Sequence, residues 1–234
     1  MNPRHLCIDQ RLTGMCVYCG REPNARDHVP SLVLLDKPYP DNLPEVDACY
    51  ECNQSFSDSE RYVACLIECA LTGTIDPAGV ERDKIRQILE NNPRLCTRLY
   101  KRRRTDEKGN FIWEPEIKPV RTVILKLARG HAAYELGLSL LKEPEEISFA
   151  PLAVISDEER AAFELPSSSS VKLWPEVASR TLKRAVNNSL SEGQYGWFTL
   201  QPNRYRYLVD QTKGLDIRMV LSEYLACRVV WLDI

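Results

Sequence analysis

The sequence predicts an α+β protein in three stretches, and three observations predict it. Two Cys-x-x-Cys pairs, Cys16 with Cys19 and Cys49 with Cys52, lie in a Pro- and Asp-rich stretch with little periodicity, as in a small unit held by a metal. Apolar residues then recur at helical spacing through the middle of the chain. From Ile147 onward, β-branched and aromatic runs separated by turn residues take over. The expected boundaries are residues 1–72 for the cysteine unit with its trailing helix, 73–145 for a helical region and 146–234 for a β-rich region.

In the first stretch, Cys16-Val17-Tyr18-Cys19 is followed by Gly20. Two thiolates separated by two residues can grip one ion, and the glycine lets the chain turn beneath it. Cys49-Tyr50-Glu51-Cys52 repeats the grip. Four thiolates satisfy the tetrahedral preference of zinc and leave no open position, so the expected ion is structural. Nine cysteines cannot all pair, and a reducing compartment keeps thiols free, which favours metal binding over disulfides. Cys7, Cys65, Cys69, Cys96 and Cys227 do not share the spacing. Cys65 and Cys69 stand four apart among apolar neighbours, and a buried helix face is expected for them.

The helical stretch opens with Ser57 and Glu60 as a capping-box pair, carries Val63, Leu66, Ile67, Ala70 and Leu71 on one face, and stops at Gly73. A second helix is expected from near Pro77 to Leu89 and a third beyond Pro93 through Arg104. Val120, Val123, Leu127, Tyr134 and Leu138 outline a fourth. His131 continues that apolar face and is expected to pack in the core, whereas His5 has no motif around it. In the β-rich region, residues 195–200 and 204–209 flank Gln201-Pro202-Asn203 as a hairpin, and 217–221 and 225–232 add two strands. Trp197, Phe198, Tyr205 and Tyr207 are spaced as sheet packing requires, and Ser167 to Ser170 read as a loop.

No run of about 18 apolar residues occurs, and residues 1–10 mix charge with apolar positions instead of forming a signal core. A cytoplasmic protein without a membrane partner is expected. The net charge of −2 excludes an all-over positive coat, so any contact with nucleic acid has to be local. Residues 84–104 supply such a place, with eight Lys and Arg against the single acid Glu90. Arg98, Lys101, Arg102, Arg103 and Arg104 are candidate phosphate contacts and Tyr100 a candidate base stack. A solvated helix face is the competing reading.

Between the cysteine pairs stands Arg26-Asp27-His28-Val29-Pro30. Neighbouring side chains on an extended segment point to opposite sides, so Asp27 and His28 can serve different partners. Asn42-Leu43 follows, and Asn53 comes directly after Cys52. The order Cys-x-x-Cys-Gly, Asp-His-Val-Pro, Asn-Leu, Cys-x-x-Cys-Asn resembles the HNH endonuclease family in its four-cysteine version, over residues 16–56. The resemblance implies a ββα-metal finger that hydrolyses phosphodiester bonds. Within it, His28 would be the general base, Asp27 and Asn53 the protein ligands of a catalytic magnesium or manganese ion, and Asn42 the residue that holds the loop and orients the histidine. DNA is the expected substrate. One finger presents one hydrolytic centre, so a double-strand break would need two copies, and a homodimer is a candidate assembly. Two other expectations compete: a zinc-stapled module that binds nucleic acid or protein without cutting, and the nuclease effector of a multi-gene bacterial defence system delivered by partner proteins.

Overall fold

Two short strands, β1 (Ala25–His28) and β2 (Glu45–Ala48), pair antiparallel and lead into α1 (Tyr50–Thr72). The computed structural model describes residues 14–41, 43–109, 111–165, 196–211 and 214–232. His5, Cys7, Asn42, the Ser167 to Ser170 stretch and Tyr195 lie outside the described residues. Helix α1 starts earlier than its sequence pattern suggests. Cys49 is the N-cap, its Sγ accepting the Cys52 N–H at 3.4 Å, so Ser57 and Glu60 fall inside the helix and form no capping box. The second cysteine pair supplies its own helix start, which takes precedence over the later signal. At the other end Gly73 adopts φ 69° and terminates α1 as expected.

A single 3₁₀ turn at Pro77–Gly79 precedes α2 (Asp83–Asn91), and α3 (Pro93–Lys101) is capped by the Asn92 side chain, which accepts the Leu95 N–H at 3.1 Å. The basic run then leaves the helix: Arg103–Thr105 forms β3, paired with β4 (Phe111–Trp113). Helix α4 (Ile117–Leu136) matches the fourth expected helix, with Gly137 as its left-handed cap.

Beyond α4 come β5 (Glu146–Pro151), α5 (Asp157–Glu164), β6 (Phe198–Gln201), β7 (Tyr205–Asp210), β8 (Leu215–Leu221) and β9 (Leu225–Trp231). The five strands form one antiparallel sheet in the order β5-β9-β8-β7-β6. Helix α5 interrupts the region read as strands, and it carries a complete capping box between Ser156 and Glu159. Strand alternation sorts the sheet residues cleanly. Tyr205, Tyr207, Ile217, Met219, Cys227 and Val229 join the main core, while Leu208, Val220 and Ala226 face a smaller cluster with Trp197 and Phe163 of α5.

The main core is continuous from Cys16 to Trp231 and includes Cys65 and Cys69, both fully buried. Helix α4 lies against α1 and against the sheet. His131 on α4 is buried at that contact, stacked on the Tyr207 ring with centroids 3.8 Å apart and with Nε2 2.7 Å from the Tyr205 hydroxyl. Gly130 beside it is where α4 meets the end of β1, since a Cβ there would fall 2.5 Å from Cγ2 of Val29. A polar tie closes the other side: Arg82 and Arg204 both bond the Asp36 carboxylate, and the Gln201 side chain bonds the Asp36 backbone. Among the described residues no helix is long and apolar enough to cross a membrane.

Candidate functional site

The cysteine pairs meet where the β1–β2 hairpin joins α1. The Cys16 N–H donates to the Arg21 carbonyl at 2.7 Å and the Gly20 N–H to the Cys16 carbonyl at 2.8 Å, which wraps the chain tightly around the first pair. Gly20 takes φ 75°, a conformation that favours glycine. The second pair opens α1, so its spacing is set by the first helical turn. All four sulfurs lie within 4.8 Å of one another, and Cys19 Sγ is 3.7 Å from Cys49 Sγ. Zinc bonded tetrahedrally to sulfur at about 2.3 Å needs sulfurs about 3.8 Å apart, so the cluster can hold a metal ion such as zinc. Among the described residues it is the one such group of three or more His, Cys, Asp or Glu side chains. Arg21 donates from Nε to Cys19 Sγ at 3.4 Å and holds that thiol down at about 6, which favours the ligating thiolate.

Strand β1 presents Asp27 and His28 to opposite sides, as its extended backbone requires. Asp27 turns inward. Its side chain is 7% exposed, with Oδ2 accepting the Tyr18 hydroxyl at 2.7 Å and lying 2.9 Å from Lys126 Nζ, while Oδ1 accepts from the same ammonium at 3.1 Å. Lys126 comes from α4, is 1% exposed, and also reaches Ser31 Oγ at 2.7 Å and Glu60 Oε1 at 2.5 Å. Burial pushes the Asp27 carboxyl above the usual range, with Lys126 and Tyr18 pulling against it. Burial also raises the Tyr18 phenol, and the adjacent Asp27 charge adds to that.

His28 faces the other way, with its side chain 34% exposed and Nδ1 buried 3.4 Å from Glu45 Oε1 on β2. Asn53, in the first turn of α1, donates from Nδ2 to the Arg26 carbonyl at 3.2 Å, which places it against β1 one residue before Asp27. The structure therefore brings Asp27, His28 and Asn53 to one strand–helix junction, but it does not aim the Asp27 carboxylate at an open position. Asn42 is outside the described residues. Further along α1, a cleft of about 540 Å³ lies between α1 and α2, with Ser57, Glu60, Arg61, Lys84 and Asn91 in its walls.

The five candidate phosphate contacts have different surroundings. Arg98 makes a two-pronged bond to Glu116 and lies over the Tyr62 ring, and Arg104 is 3.3 Å from Glu114. Arg103 sits between the Tyr100 and Phe111 rings, 4.7 and 4.1 Å from their centroids. Lys101 and Arg102 are exposed.

Tyr18, Glu45, Glu60 and Lys126 belong to the site although motif spacing does not assign them to it. Lys126 was the visible anomaly, because a lysine beside Val123 and Leu127 on an apolar helix face demands a buried acid as partner. Glu45 carried no such signal, since only the pairing register sets it opposite His28. No protein-family model, curated protein or solved structure matches this chain.

Proposed function

We propose that this chain is a hydrolase of the HNH type, an endonuclease that cleaves phosphodiester bonds of nucleic acid, with DNA as its substrate and zinc as the structural ion of the four cysteines. What supports the reading is a single arrangement: a cysteine cluster able to hold zinc fixes a strand–helix junction at which His28 is accessible and Asn53 stands against β1.

In this reading His28 removes a proton from water. The water O–H bond breaks toward the ring nitrogen that is not buried, the oxygen attacks phosphorus, and the leaving oxygen departs and is protonated from solvent. The resemblance offers Asp27 and Asn53 to a magnesium or manganese ion, which would neutralise the phosphate charge. As arranged, both Asp27 oxygens are taken by Lys126 and Tyr18, so this pair does not fit a resident divalent ion. In this reading the exposed Lys101 and Arg102 meet the phosphate backbone.

The closed Asp27–Lys126 contact favours a second reading, a zinc-stapled module that binds nucleic acid or protein without cutting. Plasmid nicking in magnesium or manganese separates the two. Cleavage by the parent that is lost in His28→Ala supports the nuclease; no cleavage of duplex DNA, single-stranded DNA or RNA by the parent overturns it in favour of the binding module.

A further inference from the structure

The register of β1 on β2 forms two cross-strand pairs on one face, Arg26 opposite Asp47 and His28 opposite Glu45. Arg26 Nη1 lies 3.0 Å from Asp47 Oδ1, so Asp47 is occupied. Glu45 has no other ion pair among the described residues, and its carboxylate is 3.4 Å from the buried Nδ1 of His28. That nitrogen is shielded from water and makes no hydrogen bond of ordinary geometry, so the Glu45 carboxylate is the acceptor set closest to it among the ion pairs of the described residues. Just beyond the pair, the Val29 N–H donates to the Pro44 carbonyl at 2.9 Å, so the backbone on both sides of the pair is held by the ladder.

From this geometry we infer that Glu45 is the positioning residue of His28, fixing its tautomer and ring plane so that Nε2 is the basic nitrogen presented to solvent. The inference deepens the nuclease reading and, where catalysis is concerned, rests on it. A neutral imidazole carries one proton, and a carboxylate can only accept. An acceptor facing Nδ1 therefore draws the proton there and leaves the lone pair on Nε2, at the exposed edge of the ring. Without Glu45 the ring is free to place its proton on Nε2 and to rotate. In either case the lone pair no longer points outward, and a base cannot work through a nitrogen that already holds a proton.

The decisive measurement needs no cleavage. The chain has three histidines, so long-range proton–nitrogen NMR spectra of the full-length protein can be assigned with His28→Ala. With imidazole neutral, the parent should show His28 as the Nδ1–H form. Glu45→Gln should keep that form, because its amide oxygen still accepts, and Glu45→Ala should move it toward the Nε2–H form. Glu45 lies on a partly exposed strand face, and zinc content with thermal melting verifies that the variants are folded. An Nε2–H signal in the parent, or an unchanged tautomer in Glu45→Ala, overturns the inference.

Nicking kinetics add the functional half. Glu45→Ala should lower kcat by about tenfold or more, within the roughly 10²–10⁴-fold that a general base supplies, while KM holds steady. In a His28→Ala background it should cause no further loss, whereas a merely structural role would add to the first defect. If the parent does not cut at all, the nuclease reading fails, and the NMR spectra still decide the positioning role.

Discussion

Lys126→Met removes the ammonium that joins Asp27, Ser31 and Glu60 while keeping most of the volume of the side chain. The stem stays packed on α4, and what changes is charge. Asp27 retains only the Tyr18 hydroxyl, inside a protein that leaves its side chain 7% exposed. Breaking one partner out of a buried ion pair costs about 3–5 kcal/mol, because the remaining charge has lost both water and its counter-ion. At about 2–4 °C per kcal/mol for a chain of this size, the melting temperature should fall by about 6–20 °C. The loss should also depend on pH. A carboxyl whose folded pKa lies above its unfolded value binds more protons when folded, so stability is full below the unfolded pKa and declines as pH rises through the folded one. Without Lys126 that rise is larger, so the variant should approach the parent in acid and fall furthest behind at neutral pH. Calorimetric melts of zinc-loaded protein across that range provide the assay. Pairing the change with Asp27→Asn should recover part of the deficit, since the stranded charge is gone. A deficit below about 1 kcal/mol, or one that does not vary with pH, refutes the claim that Lys126 compensates Asp27.

Three further outcomes follow from other contacts. His131 is held down at about 3 by complete burial, against an ordinary value near 6.5, so the unfolded chain binds more protons between these limits and stability falls as pH drops through them, by up to about 1.4 kcal/mol per pH unit. Urea melts of His131→Phe should show a flatter acid slope than the parent, and an identical slope contradicts the assignment. Gly130→Ala gains about 1 kcal/mol of helix preference but drives a Cβ to within 2.5 Å of the stiff Val29 side chain, which costs about 1–3 kcal/mol; a net loss in thermal melting is expected, and a stabilised variant shows that α4 does not press on β1. Arg21→Ala removes a donor to Cys19 and should weaken zinc retention against a competing chelator by about tenfold, with unchanged retention arguing against a role for that contact.

The parts legible in the sequence were those specified by neighbouring residues. The cysteine cluster could be read because two ligands three positions apart fix their own geometry, and α4 because its apolar positions repeat at the helical period through His131. Strands β7, β8 and β9 are legible as β-branched and aromatic runs bounded by turn residues. Less legible was anything that depends on register or on direction. Residues 29–44 separate the two halves of the hairpin, and no turn signal in so long a connection sets His28 opposite Glu45. Alternation along β1 showed that Asp27 and His28 part company, but which of them faces inward depends on α4, nearly a hundred residues later by the roughly local logic of sequence patterns. The capping signals at Ser57 and Ser156 make a matched pair: the first is overruled by Cys49, which starts α1 earlier, and the second caps α5 inside a region whose other residues favour strands.

Asp27 is the point on which the two functional readings divide. A divalent ion and the Lys126 ammonium compete for the same carboxylate oxygens, so an ion that takes Asp27 as a ligand has to outweigh a contact of about 3–5 kcal/mol. That handicap corresponds to roughly two to three and a half decades in affinity. Removing Lys126 lifts it. If the nuclease takes an ion on Asp27 once Lys126 is displaced, manganese added to zinc-loaded protein should raise the melting temperature of Lys126→Met more than that of the parent, because an ion that binds only the folded state stabilises it by mass action. The non-cutting module makes the opposite demand: with Asp27 serving only to neutralise Lys126, manganese shifts neither melting temperature, and the variant stays destabilised whatever the ion concentration.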